Sequence, residues 1–284
     1  MPIDYEALKA FDIPEVRQRV SANDVMLYAL SIGLGQDPMD AAQLDYVTEK
    51  RLRAMPAMAN VLGYAGFWLA DPRTGVDAVK LVHGEQSMTI HATLPTEGMV
   101  IGKTRVTEII DKGAGKGALL YSSRNIHDAG GKLLATIDGT TFLRADGGFG
   151  GPSGPVKAPH PLPDRAPDAV LHLATRPEQA LLYRLNGDMN PLHSDPELAA
   201  RAGFPRPILH GLCTFGVIAH ALLKSLCAYD AEKFGRMDLR FTAPVFPGET
   251  IRTEIFHEQG GAAFRARVVE RDTIVANNGM FRFR

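Results

Sequence analysis

The chain of 284 residues has almost no surplus of charge of either sign, since 31 lysines and arginines stand against 32 aspartates and glutamates. A formal net charge of -1 provides little attraction for a nucleic acid or an anionic membrane, so neither is expected as a partner. The hydrophobic share of 45% is nevertheless ample for a folded core.

Cysteine is scarce as well, because Cys213 and Cys227 are the only two. They lack C-x-x-C spacing, which favours reduced, buried side chains over a disulfide framework. Long apolar runs are missing, and the longest is interrupted by His220 and Lys224. The first residues are acidic where a secretory signal would be apolar, and the final FRFR is not a peroxisomal address. Together these features predict a cytoplasmic protein.

Glycine and proline are concentrated near the middle of the chain, in FGGPSGPVKAPHPLP. Such a stretch cannot hold a helix or a central strand, so it is interpreted as a linker over 146–166. The linker predicts an N-terminal unit over 1–145 and a C-terminal unit over 167–284.

The two predicted units resemble each other in four places. TLPTEGMVIG resembles TAPVFPGETI, the alternating segments after Gly117 resemble those after Gly261, DVMLYALS resembles QALLYRLN, and LVHGEQ resembles ILHGLC. Each unit therefore begins with helical and loop segments and ends in alternating, antiparallel strands joined by polar turns. This pattern predicts an α+β fold built from two similar halves.

The second unit contains an additional helix. It spends 33 residues from Gly211 to Pro244, whereas the first spends 11 from Gly84 to Pro95. Apolar residues of the extra segment fall on one helical stripe, at Phe215, Ile218, Ala219 and Leu222. About 20 helical residues would extend roughly 30 Å. The first unit then has a gap against its sheet, which either closes or remains as a ligand cavity.

The octapeptide NGDMNPLH places Asp188, Asn190 and His193 around one rigid proline. The preceding EQALLYRLN predicts a helix that ends at Gly187. Its leucines are expected on one buried side, at Leu181, Leu182 and Leu185. The following segment predicts a short helix that is capped by Ser194 or Asp195 and ends at Gly203. The polar residues thus lie on a stiff connector between two helices.

Several interpretations of this connector are open. It can be a turn with a surface histidine, or a metal site, although no third ligand follows at a known spacing. A nucleophilic triad lacks its G-x-S-x-G, and Ser194 is better explained as a cap. The remaining interpretation is an acid–base pair that acts on water, with His193 near neutral pH and Asp188 ionised.

A second candidate feature is the His210-Gly211 pair at the start of the long helix. The first amides of a helix have no internal partner and carry the positive end of its dipole. Gly211 has no side chain to block approach, so its N–H can donate to a developing oxyanion. The same glycine can equally serve only the turn into the helix.

These segments resemble a known family. YRLNGDMNPLHSDPELAARAGF is similar to the signature of the type 2, (R)-specific, MaoC-like enoyl-CoA hydratases, and PILHGLCTFG, LVHGEQ and RFTAPVFPGET match further family segments. The resemblance covers essentially the whole chain. It implies a double hot-dog fold, with a long central helix in the second unit and a reduced one in the first.

The resemblance also implies the chemistry, which is hydration of trans-2-enoyl-CoA to (3R)-3-hydroxyacyl-CoA without a metal or other cofactor. Asp188 and His193 would activate the water, Asn190 would complete its hydrogen bonds, and the Gly211 amide would stabilise the thioester enolate. The implied substrate contacts are His83, Gly84, Lys112, Met189, Pro191, Leu192 and Phe241. Lys112 is either a contact to a CoA phosphate or an ordinary exposed lysine.

The first unit departs from the signature, because LSIGLGQDPMD offers Asp37 and Asp40 but no histidine. One active site per chain is therefore expected, with the first unit accommodating a medium or longer acyl chain. Monomer and homodimer both remain open, and the family favours the dimer. The alternatives are a dehydratase of another acyl thioester, such as a steroid side-chain CoA or an acyl carrier protein substrate, a thioesterase, and a non-catalytic acyl-thioester-binding protein.

Overall fold

The computed structural model describes residues 3–284, and its framework is one ten-stranded antiparallel sheet. The order across the sheet is β1-β3-β4-β5-β2-β7-β10-β9-β8-β6. The strands are β1 (Val16–Val20), β2 (Leu81–Ile90), β3 (Gly98–Asp111), β4 (Ala118–Asp128), β5 (Leu133–Leu143), β6 (Ala169–Ala174), β7 (Phe234–Phe241), β8 (Thr250–Glu258), β9 (Gly261–Val268) and β10 (Thr273–Phe283).

Six α-helices accompany the sheet in the described part of the chain. They are α1 (Tyr5–Lys9), α2 (Ala22–Ser31), α3 (Ala41–Leu44), α4 (Gln179–Tyr183), α5 (Pro196–Arg201) and α6 (Gly211–Cys227). Short 3-10 helices fill several connections, and those at Pro56–Asn60 and Pro191–His193 bear on the site. None of the helices over residues 3–284 has the length and hydropathy needed to cross a membrane.

The sheet consists of two five-stranded halves that meet at β2 and β7. The first half carries β1 to β5 and the second β6 to β10, and the junction pairs Met88 with Met237. Between the halves, residues 144–168 contain neither helix nor strand. The domain limits predicted from the sequence remain a prediction, although the strands lie on both sides of this segment.

Three of the four internal parallels agree with the topology. β4 and β5 occupy in the first half the places of β9 and β10 in the second, α2 follows β1 as α4 follows β6, and the links from β2 to β3 and from β7 to β8 correspond. The parallel of LVHGEQ with ILHGLC was wrong. His83 and Gly84 lie within strand β2, whereas His210 and Gly211 lie at the start of α6.

Helix α6 runs through the core of the second half. Its 17 residues extend roughly 25 Å, and the predicted stripe at Phe215, Ile218, Ala219 and Leu222 is fully buried. The counterpart in the first half was placed wrongly between Gly84 and Pro95. The reduced element is instead the buried 3-10 helix Pro56–Asn60, which precedes β2 as α6 precedes β7 and contacts β2, β5 and α6.

The apolar side of α4 also differs from the prediction. Leu181 and Leu185 are 52% and 54% exposed, while Ala180 and Tyr183 are buried. The helix is only five residues long before it tightens into a 3-10 turn. An α-helical stripe extended over both segments therefore predicts more inward-facing leucines than the structure has. Cys213 and Cys227 are both free and buried, as expected.

Candidate active site

The connector after α4 is built as the sequence predicts. Gly187 ends the helical turn with φ 109°, a left-handed conformation that favours glycine. Pro191 opens the 3-10 helix that carries His193. Asp195 then caps α5 by accepting hydrogen bonds from the Glu197 and Leu198 amides. The backbone of the connector is therefore fixed at both ends.

His193 is 8% exposed, and a single hydrogen bond assigns its protonation. Its Nδ1 lies 2.9 Å from the carbonyl oxygen of Ile208. Because a carbonyl oxygen only accepts, Nδ1 carries the proton and the neutral ring keeps a lone pair on Nε2. Burial lowers the pKa of His193, although the bond to Ile208 and the charge of Asp188 act in the opposite direction. His193 is thus held as a neutral base.

His210 belongs to the same cluster, which the sequence analysis did not predict. Its ring stacks on that of His193, with centroids 3.7 Å apart and planes 28° from parallel. Its Nε2 donates to the backbone oxygen of Asp188 over 3.2 Å. Burial, followed by the neighbouring His193, lowers the pKa of His210 to about 4. The only signal in the sequence was its position directly before the helix-start glycine.

Asp188 brings a carboxylate to the two rings. One oxygen of Asp188, a nitrogen of His193 and a nitrogen of His210 all lie within 4.8 Å of one another. The two predicted acid–base groups therefore meet. A carboxylate and two imidazoles are also donors that a transition metal accepts. One nitrogen of each ring already faces a backbone oxygen, His193 Nδ1 that of Ile208 and His210 Nε2 that of Asp188.

Asn190 is exposed and acts locally on the backbone. Its Oδ1 accepts a hydrogen bond from the Leu192 amide over 3.0 Å and caps the 3-10 helix that carries His193. The backbone N–H of Asn190 donates to Oδ1 of Asp188 over 3.2 Å. Asn190 thus fixes both members of the predicted pair, and its direct contact with water remains a prediction.

Gly211 is the first residue of α6, so its amide has no acceptor within the helix. A Cβ at this position would meet only the Phe241 ring, at an ordinary 3.6 Å. The packing of the chain therefore does not require glycine here. Close approach of a ligand to the amide remains as a physical reason for it.

His83 reaches the same region from the first half of the sheet. Its ring lies 4.9 Å from that of Phe241, centroid to centroid, and the charge of Asp188 acts on it. The pairing of β2 with β5 slips by one residue at Gly84. This β-bulge places His83 and Gln86 on the same face of the strand. Gly84 therefore acts through backbone geometry, a feature that alternation alone did not reveal.

A hydrogen-bonded chain of buried side-chain amides fixes the orientation of His83. His83 Nε2 lies 2.8 Å from Oε1 of Gln86, whose Nε2 donates to Asn60 over 2.7 Å. Asn60 Nδ2 in turn donates to the Ala57 carbonyl over 3.1 Å. Because that carbonyl can only accept, it orients both amides, and Nε2 of His83 must carry a proton. Gln86 and Asn60 were not predicted.

Lys112 follows the end of β3, with its Nζ 5.9 Å from the centroid of the Phe142 ring. Following the paired strands, its neighbour Asp111 is level with Leu81, so three strand spacings, or about 14 Å, separate it from β2 at a point two residues before His83. It is thus separate from the Asp188 cluster. It borders a cleft of about 500 Å³ lined by Asp111, Lys112, Gly113, Lys116, Gly151, Ser153 and Val156.

The other predicted contacts lie on the catalytic connector itself. Met189 is 52% exposed, Pro191 is exposed and Leu192 is half-buried. They lie between Asp188 and His193 in sequence. Their contact with substrate remains a prediction.

Two family models match the chain, one to each half. The description "MFE-2 hydratase 2 N-terminal domain" covers residues 19–145, and "MaoC like domain" covers 159–279. Enoyl-CoA hydratase ChsH3 of Mycobacterium tuberculosis is 39% identical over 99% of this chain and 98% of its own. The peroxisomal enoyl-CoA hydratase 2 of Arabidopsis thaliana is 38% identical over 95% and 92%.

Solved structures agree with these matches. A MaoC-like dehydratase from Phytophthora capsici superposes with a TM-score of 0.84 at 34% identity, over 95% of each chain. A Mycobacterium tuberculosis protein described as a double hotdog fold gives a TM-score of 0.57 at 16% identity, over 95% of this chain and 93% of that one. The second likeness supports the fold alone.

The fold and the site define a double hot-dog protein of the α+β class, with an aspartate–histidine pair beside a helix N-terminus. Within that class, the full-length matches at 38–39% identity are decisive. The chain belongs to the enoyl-CoA hydratase 2 family of MaoC-like proteins.

Proposed function

We propose that the protein is a hydro-lyase that adds water to trans-2-enoyl-CoA and forms (3R)-3-hydroxyacyl-CoA, in a reversible reaction. The observation that carries this proposal is the bond from His193 Nδ1 to the Ile208 carbonyl. It leaves Nε2 as a base in the cluster that contains the Asp188 carboxylate. His210 stacks on this base and directly precedes the Gly211 amide, so base and oxyanion donor are neighbours.

In the proposed reaction, one water is held between Asp188 and His193. Its oxygen bonds to C3 of the enoyl group while His193 Nε2 takes a proton. The electrons of the double bond move to the thioester oxygen, where the Gly211 amide and the positive end of α6 stabilise the enolate. The enolate then collapses as C2 takes a proton from the same pair. All atoms of the water end in the product.

His210 supports this step without touching the reacting atoms, and Asn190 supports it through the turn in addition to its predicted hydrogen bond to the water. Asn190 fixes the turn that carries His193, and its amide contacts the Asp188 carboxylate. His210 remains neutral under its pKa of about 4, so it does not repel the proton that His193 receives. We assign positioning roles to both.

The preferred substrates are proposed to be medium or longer acyl chains. Support comes from the first half of the sheet, where a five-residue 3-10 helix precedes β2, whereas the 17-residue α6 precedes β7. The CoA end is proposed to run toward Lys112, about 14 Å across the sheet. Catalysis without a metal or cofactor and a cytoplasmic location complete the proposal, with monomer and homodimer both open.

The deciding experiment mixes purified protein with crotonyl-CoA, decenoyl-CoA and a branched enoyl-CoA. Loss of the enoyl-thioester absorbance is followed, with chiral analysis of the product and a thiol assay for free CoA. A 3R product is expected. A 3S product would exclude the assignment, and release of CoA would indicate a thioesterase. Binding of substrate without turnover would indicate a binding protein.

A further inference from the structure

Arg124 is a buried cation without a counter-ion. It lies on β4 with 6% of its surface exposed. Within residues 3–284, no aspartate or glutamate oxygen lies within 4.0 Å of its guanidinium. Its Nη2 donates to the Asn60 carbonyl over 2.6 Å and more weakly to Ala59 over 3.4 Å, and the buried Nε has no acceptor there. Among residues 3–284, two backbone oxygens are thus its only hydrogen-bond acceptors.

The residue at the register position of Arg124 differs between the two halves of the sheet. Moving outward from the central Met88–Met237 pair, the register leads through Ile137 to Arg124 on one side. On the other side it leads through Phe281 to Ala262. Ala262 is fully buried in the core that contains α6. A long cationic side chain therefore stands in the first half where the second half has a methyl group.

The surroundings of Arg124 connect it to the catalytic connector. Its guanidinium carbon lies 5.3 Å from the centroid of the Tyr64 ring. Tyr64 is 44% exposed, and partial burial, followed by the charge of Asp188, raises its pKa, so the ring lies within the field of that carboxylate. The Tyr183 hydroxyl is fully buried without a hydrogen-bond partner in the described chain, and its ring contacts His210 at 5.0 Å between centroids. Arg124 Nε and the Tyr183 hydroxyl are thus two buried donors without an acceptor in the described chain, and Tyr183 is near enough for its charge to act on Arg124.

Burying a guanidinium without an opposite charge is costly, so such a group in a stable core calls for an explanation. Backbone carbonyls satisfy only part of the planar fork of five N–H donors. The group that completes both its charge and its geometry is a carboxylate, which accepts two parallel hydrogen bonds from arginine. Burial lowers the pKa of Arg124 only to about 10, so the side chain remains charged near neutral pH.

We propose that Arg124 is a specificity-determining residue that binds a carboxylate carried by the acyl chain, so that the enzyme prefers carboxylated enoyl-CoA substrates. This inference rests on the proposed hydratase function. A continuous series of protein contacts links the Gly211 amide, proposed to bind the thioester end, with Arg124, proposed to bind the carboxylate end. Gly211 lies against Phe241, Phe241 against His83, and the buried amides continue to Asn60, whose carbonyl holds Arg124.

The test compares hydration of trans-2-enoyl-CoA substrates that end in a methyl group with substrates of equal length that end in a carboxylate. The octenoyl, decenoyl and dodecenoyl compounds are compared with octenedioyl-, decenedioyl- and dodecenedioyl-CoA. At one length at least, kcat/KM is expected to be about tenfold or more higher for the carboxylated substrate, the size of a hydrogen bond to a charged group. An ω-hydroxy series separates charge from simple polarity.

Three variants assign the preference to this side chain. Arg124→Met is expected to remove it while hydration of the methyl-ended substrate continues, and Arg124→Lys is expected to keep part of it. Arg105→Met, an exposed arginine on neighbouring β3, is the matched control and leaves the preference unchanged. Thermal melting shows whether each variant is folded. If Arg124→Met does not fold, the wild-type ratio and Arg124→Lys still decide.

The outcomes separate this inference from the proposed function. Equal rates for both series in the wild type would overturn the role of Arg124 and leave the hydratase function intact. An ω-hydroxy substrate as good as the carboxylate would overturn the carboxylate assignment. Absence of hydration of every substrate would instead overturn the proposed function.

Discussion

Single side chains in the site receive their roles from hydrogen bonds more than from their residue type. The Ile208 carbonyl selects the proton position on His193, and the Gln86 amide selects it on His83. The two histidines therefore expose opposite ring nitrogens. Of these two, only His193 lies in one cluster with a carboxylate, which supports its proposed role in activating water.

Replacing either member of the acid–base pair tests this assignment. Asp188→Asn and His193→Gln are each expected to lower kcat by at least about 100-fold, because each removes a proton-transfer partner. Glu197→Gln, an exposed carboxylate on α5, is the control and keeps its rate. The melting temperature should change little in all three. Near-wild-type turnover in Asp188→Asn or His193→Gln would contradict the mechanism.

The amide chain behind His83 gives a second test. Gln86→Met removes the acceptor for His83 Nε2 and should lower kcat/KM about tenfold, the value of one buried hydrogen bond. In the double variant with His83→Phe, the second substitution should lower kcat/KM almost no further, because both substitutions remove the same interaction. Additive losses would show that Gln86 acts independently of His83.

Chelation tests the prediction that no metal takes part. Dialysis against EDTA is expected to leave kcat unchanged, because His193 and His210 are stacked and each already donates from one nitrogen. Metal analysis of the dialysed protein is the check. Loss of activity that returns with zinc would contradict the prediction.

The sequence was sufficient to place Asp188 and His193 together on one connector and Gly211 at a helix start, because proline, glycine and helix-capping residues fix the backbone locally around them. It was not sufficient for His210, Gln86 or Arg124. These residues gain their importance from partners distant in sequence, such as Asn60 for Arg124. Residue spacing carries no information about such contacts.

Among the elements, α6 connects the hydrophobic core with the candidate active site. Its interior residues are buried on nearly all sides, and its first residue directly follows His210 of the site cluster. A helix in this position is anchored along its length, so the direction of its dipole is fixed. The positive end therefore needs no reorganisation when negative charge develops on the substrate.

Gly211→Ala separates helix stability from catalysis. Alanine favours helix more than glycine does, and its Cβ would meet only Phe241 at 3.6 Å, so the melting temperature should stay level or rise. Turnover is expected to fall at least about tenfold, because the methyl group obstructs approach to the amide. Unchanged kcat/KM would show that the glycine serves only the turn.

Element prediction succeeded where local patterns were strong. Alternation and the polar turns identified β4, β5, β9 and β10, and helical periodicity identified α6. It failed at His83-Gly84, because a short histidine–glycine motif occurs both in a strand and before a helix. The β-bulge depends on pairing with β5, which becomes visible only when the sheet is assembled.

At the scale of the whole molecule, buried histidines link stability to pH. His210 and His220 have a pKa of about 4 in the folded protein, chiefly because of burial, and burial also lowers the pKa of His193. In the unfolded chain they bind protons near the ordinary value of 6.5. Between these values the unfolded state binds more protons, so stability falls as the pH falls from 6.5 toward 4.

Thermal unfolding across this range tests the linkage. The melting temperature should decrease steadily from pH 6.5 to pH 4, and His220→Gln should show a shallower decrease, because one proton-binding difference is removed. His257→Gln, at an exposed position, is the control. Parallel curves for His220→Gln and the wild type would contradict the contribution of His220.

The two-unit organisation was visible in the sequence because the halves retain recognisable turns. The meeting of β2 with β7 was not, since strand order across a junction depends on how the assembled units pack. The site lies at this meeting point, with His83 on one side and Phe241 on the other.

Joining both halves in one chain has an evolutionary consequence. In a symmetric pair of identical subunits, every substitution occurs twice, so a change that reshapes one interior also alters the interior that performs the chemistry. Here Arg124 and Ala262 reach corresponding registers of the two halves yet are encoded separately. The first half can therefore diversify its ligand preference under selection while the second preserves its helix and its acid–base pair.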